Sequence, residues 1–129
     1  MKNIKELGKL MLSNENLAYN EKGKAAFKRI GKKAMKELAT LLQLQEFDVN
    51  FNPGGIAVSG DLRLMGMWKE GNGVYISMNK DFPQNIWGQI LYRTIKDMKD
   101  YFGGSNNYLP FEMLLEPEKM VEAILKLKD

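Results

Sequence analysis

Residues 47–78 read FDVNFNPGGIAVSGDLRLMGMWKEGNGVYISM, and their alternation decides the fold class. Phe47, Val49 and Phe51 share one parity while Asp48 and Asn50 share the other, the period-two signature of a strand with one apolar face. Asn52-Pro53-Gly54-Gly55 follows, joining a residue of fixed φ to two that accept positive φ, so the chain should reverse there. Ile56, Val58, Leu62, Leu64 and Trp68 then alternate with Ser59, Asp61, Arg63 and Lys69, which predicts one long strand bent at Gly60 or Gly66. Glu70-Gly71-Asn72-Gly73 supplies a second hairpin turn, after which Val74, Ile76 and Met78 alternate with Tyr75 and Ser77. The stretch predicts a three-stranded antiparallel meander.

On both sides the apolar spacing becomes helical. Ile4, Leu7, Leu10, Met11 and Leu17 mark a short amphipathic helix that the segment Ser13-Asn14-Glu15-Asn16 interrupts or ends. Phe27, Ile30, Ala34, Leu38, Leu41 and Leu42 mark a second helix, from Asn20 or Glu21 to Leu44, despite Gly23 and Gly31. Beyond the meander, Asp81-Phe82-Pro83 resembles a capped helix start, and Ile86, Trp87, Ile90, Leu91, Ile95 and Met98 predict a third helix running to Gly103-Gly104. Phe111–Leu115 reads as one helical turn. Glu116-Pro117 opens a last helix carrying Met120, Val121, Ile124, Leu125 and Leu127. The expected order is α-α-β-β-β-α-α, one α+β domain over residues 1–129, with helices covering one sheet face.

Composition narrows the chemistry. The 129 residues contain neither cysteine nor histidine. Disulfides, thiolate metal sites, Ser-His and Cys-His nucleophile pairs and histidine-bound zinc are therefore excluded. Carboxylate, Lys or Tyr chemistry and hard-cation sites built from oxygens remain. The acidic residues, among them Asp61, Asp100 and Glu112, show no spacing that places a catalytic pair or a calcium loop. No catalytic residue, metal or cofactor is expected. No stretch approaches the roughly 18 to 20 apolar residues of a membrane span, and Met1–Leu12 lacks the apolar run of an export signal. A cytoplasmic setting without a membrane partner is the expectation, and nothing in the sequence indicates an oligomeric state.

Three features are candidates for function. Residues 21–37 hold seven cations, Lys22, Lys24, Lys28, Arg29, Lys32, Lys33 and Lys36, against Glu21 and Glu37, a balance of about +5 in a chain of net charge +3. Helical spacing gathers Lys28, Lys32 and Lys36 with Arg29 and Lys33 into one strip, suited to a phosphate backbone or an acidic protein surface, unless it is simply a solvated face. Arg93 and Lys96, followed by Gly103, Gly104, Asn106 and Asn107, read either as a polar recognition surface or as a helix stop with an Asn-pinned loop. Met65 and Met67 have opposite parity to Leu64 and Trp68, which predicts an adaptable patch with Tyr75 on the second sheet face, or a face that is itself covered.

Leu91-Tyr92-Arg93-Thr94-Ile95 and Gly103-Gly104-Ser105-Asn106-Asn107 lie in a region, about residues 62–110, that resembles small uncharacterised accessory proteins encoded by phages and mobile elements of low-GC bacteria. The N-terminal helices do not contribute to the resemblance. It implies an accessory or counter-defence role, of which anti-CRISPR inhibition is one example. The leading expectation is a binding protein acting on a protein or nucleoprotein complex that processes nucleic acid. The alternatives are sequence-independent nucleic-acid binding through the basic strip, and a small-molecule enzyme using Tyr92, Arg93 and Asp100.

Overall fold

The computed structural model describes residues 1–13, 16–81, 85 and 87–128. Helix α1 (Lys2–Met11) buries Ile4, Leu7 and Met11, the residues its spacing placed together. A 3-10 turn at Leu17–Tyr19 leads into α2 (Glu21–Leu41), which Asn20 caps by accepting from the Gly23 amide at 3.0 Å. That bond satisfies one of the amides a helix start leaves without a partner. The helix ends three residues short of the expected Leu44 because Gln43 turns left-handed (φ 58°). The buried Trp68 indole then donates to the Leu42 carbonyl at 2.8 Å, tying the end of α2 to the sheet.

The sheet has five antiparallel strands in chain order. They are β1 (Glu46–Asn52), β2 (Asp61–Met67), β3 (Gly73–Met78), β4 (Gln89–Ile95) and β5 (Asn107–Pro110). The fold is α+β as expected, with two more strands than the meander the sequence indicated. Val49, Leu64, Ile76 and Tyr92 are aligned across four strands, and Leu62, Val74, Met78 and Ile90 lie on the same face. These residues join α1, α2, Phe111, Leu114 and the Met120 and Ile124 side chains of α3 (Pro117–Leu125) in one core. Burying each such aliphatic side chain is worth about 1.5–3 kcal/mol.

Two expectations fail within the sheet. The strand expected from Ile56 starts only at Asp61, since Ala57 takes a left-handed φ of 63° and Ile56 stands in solvent. The larger correction concerns the third helix. Its expected opening at Phe82-Pro83 and its first stripe residue Ile86 lie outside the described residues, but Gln89–Ile95 is strand β4. Ile90, Leu91 and Ile95 fit both periods. Pairing β4 between β3 and β5 satisfies backbone groups on both sides, and β-branched or aromatic Ile90, Tyr92, Thr94 and Ile95 suit a pleated surface. Asn107–Pro110, in the stretch after Gly103-Gly104 where no strand was expected, is β5.

A close approach explains one glycine. A Cβ on Gly73 would collide with the Gly66 carbonyl oxygen across the β2–β3 hairpin, so no side chain fits there. The expected turn at Phe111–Leu115 is present as 3-10 helix, and Pro117 occupies the first turn of α3. Among the described residues no helix is long and apolar enough to cross a membrane.

Candidate functional site

The basic strip occupies the solvent side of α2. Phe27, Gly31, Ala34 and Leu38 face the core, and a rotation of about 100° per residue carries Lys28, Arg29, Lys32, Lys33 and Lys36 to the other side. Lys22, Lys28, Arg29, Lys33 and Lys36 are exposed, while Lys24 and Lys32 are half-buried. No ion pair among the described residues uses any of these seven cations. Lys24 donates to the Gly55 carbonyl at 3.4 Å.

Glu37, the acid at the end of the strip, is committed elsewhere. Its carboxylate accepts from the Ile4 amide at 3.1 Å and the Asn3 side chain at 3.1 Å, and lies 3.0 Å from the Met1 ammonium. Partial burial pushes its pKa up, but the Ile4 amide, the ammonium and the Asn3 amide together hold it below the ordinary value. The acid that could neutralise the strip instead clamps α1 to α2. Like charges four residues apart each cost a helix about 0.2–0.5 kcal/mol, and Lys24–Lys28, Lys28–Lys32, Lys32–Lys36 and Arg29–Lys33 all have that spacing. Residues 22–36 present this charge along roughly 21 Å of helix.

The second candidate has a different character. Arg93 sits on β4, only 5% exposed, with its guanidinium 4.7 Å from the centre of the Tyr75 ring. It donates to the carbonyls of Gly103 at 2.5 Å, Asp100 at 3.0 Å and Thr94 at 3.3 Å. Asp100, 3.9 Å from that guanidinium, accepts from the amides of Lys96 (3.0 Å), Gly103 (2.6 Å) and Phe102 (3.3 Å). The Lys96 amide first, then those of Gly103 and Phe102 and the Arg93 charge, hold the Asp100 carboxyl below its usual range. The Asn107 side chain donates to the carbonyls of Tyr92 and Ser105.

Residues 96–107 therefore form a folded staple. Arg93, expected on a helix face toward a partner, is buried and used up in holding the loop. Lys96, Gly104, Ser105 and Asn106 remain exposed, and Gly103 is half-buried. At the tip Phe102 is 98% exposed, which the spacing of the sequence did not foreshadow.

Tyr92, Arg93 and Asp100 do not line one pocket. Neighbours on a strand point to opposite faces, so Tyr92 lies on the core side with Ile76, whereas Arg93 is aligned with Tyr75 on the other side. Met65 and Met67 do lie opposite Leu64, but Met65 is only 8% exposed and Met67 half-buried, leaving little thioether surface. Among the described residues no group of three acids is placed to hold a metal ion.

Two features depend on β4 and β5 and so were invisible to sequence reasoning. One is a cleft of about 350 Å³ on the open sheet face, lined by Ser77, Gln89, Leu91, Tyr108 and the exposed Trp87. The other is the far edge of the sheet, which is β5 and not β3. Comparisons with protein-family models, with curated proteins and with solved structures find no match to this chain.

Proposed function

We propose that this chain is a non-catalytic binding protein that docks the solvent face of α2 on an anionic surface of a protein complex that processes nucleic acid. The observation that carries the reading is the set of seven cations on one helix, none paired with a carboxylate among the described residues. Attraction of such a face to an acidic or phosphate-bearing surface is long-ranged and needs no further fold elements. The accessory or counter-defence setting is what the resemblance of residues 62–110 implies.

The test is affinity capture with the wild-type protein and with K28E/K32E/K36E, each with and without nuclease. A protein partner retained after nuclease treatment and lost in the variant supports the reading. Equal capture by both proteins overturns it. A second reading, direct nucleic-acid binding, is favoured by the length of the strip and its predominance of lysine. It requires affinity for a duplex to fall with log[salt] by a slope of about 0.9 per neutralised phosphate. Failure to retain any oligonucleotide at low salt removes it.

A further inference from the structure

The two edges of the sheet differ sharply. β5 is four residues long and ends in Pro110, which cannot donate to an added strand. β1 runs for seven residues in unbroken register from Glu46↔Met67 to Asn52↔Asp61, with no proline, lysine or bulge. No element among the described residues pairs with its outer side. Its alternate N–H and C=O groups therefore form a row with which another extended backbone can pair.

The side chains around this edge select the occupant. On the helix-covered face Phe47 is 43% exposed and Val49 and Phe51 are half-buried, so apolar surface continues to the rim. Above it stands α2, which meets β1 through the edge-to-face contact of Phe27 with Phe51 at 5.4 Å. Lys28 lies nine residues from Glu37, about two and a half helical turns. Since Glu37 binds α1, Lys28 and the neighbouring Lys32 lie on the flank of α2 turned away from α1, and α2 packs on β1 through Phe27 and Phe51. On the open face the exposed Glu46 and Asp48 carry the opposite charge.

An incoming strand with acidic side chains on one face is therefore attracted by Lys28 and Lys32 when those acids point toward α2, and repelled by Glu46 and Asp48 when they point the other way. A second copy of this chain fits poorly. Antiparallel pairing of β1 with itself would bring two cationic α2 flanks against each other across the seam.

We infer that the outer edge of β1 accepts an extended segment of the partner protein as a sixth strand, with acidic side chains beneath Lys28 and Lys32. This deepens the docking reading of α2 and rests on it for the sign of the partner's charge. The probes are a nine-residue peptide alternating Glu with Thr, its Lys-for-Glu counterpart, and the Glu-Thr peptide N-methylated on alternate amides along one edge, with a second isomer methylated on the other edge. Binding is read by backbone amide shifts and hydrogen exchange of the full chain.

The expected result is perturbation and slowed exchange along Glu46–Asn52, with at least tenfold weaker binding of the Lys peptide and of one methylated isomer. K28E/K32E should weaken the Glu-Thr peptide by a similar factor while leaving the amide spectrum of the free protein folded. Equal binding by both methylated isomers, or shifts along α2 without β1, overturns strand addition and leaves electrostatic docking intact. Equal binding of the Lys peptide overturns the charge assignment. Concentration-dependent self-association that protects the β1 amides overturns the partner segment in favour of a second copy.

Discussion

Arg93 and the lysines of α2 carry the same charge but have opposite roles. Arg93 is buried, donates to three carbonyls and lies over a tyrosine ring, so its removal would take away three charge-assisted hydrogen bonds and that ring contact. Lys28, Lys33 and Lys36 are exposed, and no ion pair among the described residues includes them. The contrast separates charge that the fold consumes from charge that the fold merely displays. Only the second kind is free to meet another molecule.

Stability measurements can break that contrast most directly at Arg93. Arg93→Ala should lower the unfolding free energy by about 3 kcal/mol, because hydrogen bonds to charged groups are worth about 1.5–3 kcal/mol each and are not additive. Arg93→Lys should recover part of the loss, since an ammonium cannot reproduce the fork. A denaturant midpoint unchanged by Arg93→Ala would show that the loop does not depend on its guanidinium.

Asp100 offers a second test through pH. Its folded pKa lies below the ordinary aspartate value, so its contribution is complete above that ordinary value and is lost as pH falls through the lowered folded one. Asp100→Asn should therefore flatten the acid limb of the stability profile between those two points. An unchanged acid limb would mean that the three amides do not hold the carboxylate in solution.

Changes at the strip should be smaller. Each of Lys28→Glu, Lys32→Glu and Lys36→Glu should shift stability by no more than about 0.5 kcal/mol while weakening partner capture together. A loss well beyond that figure, read by denaturation, would make the strip structural and end the contrast. The smallest effect concerns salt. Raising ionic strength from low to about 0.5 M should stabilise the wild type by a few tenths of a kcal/mol through screening of the like-charge pairs, with a smaller gain in the charge-reversed variant.

The same contrast explains what the sequence could reveal. The α2 strip was legible because helical geometry alone sorts Phe27 and Leu38 from Lys28 and Lys36. β1 and β3 were legible because their apolar residues alternate without a competing period. In β4, Ile90, Leu91 and Ile95 satisfy both spacings, and only the unpaired edge of β3 decides between them. Once that segment is a strand, Tyr92 and Arg93 point to opposite faces, which separates a cluster that a helix would have kept together. The burial of Arg93 had no local signal, since its acceptors are backbone carbonyls that lie up to ten residues downstream.

The strict chain order of the sheet also bears on how the molecule is made. Each strand pairs only with its sequence neighbours, so the sheet can grow hairpin by hairpin with little loop-closure cost. The packing of α1 is different, because Gly8 lies so close to Leu114 that an added Cβ would be 2.9 Å from that side chain. During synthesis the first helix must wait for residues 111–115 before its inner face is covered. The element that stands first in chain order is thus among the last to find its full set of neighbours.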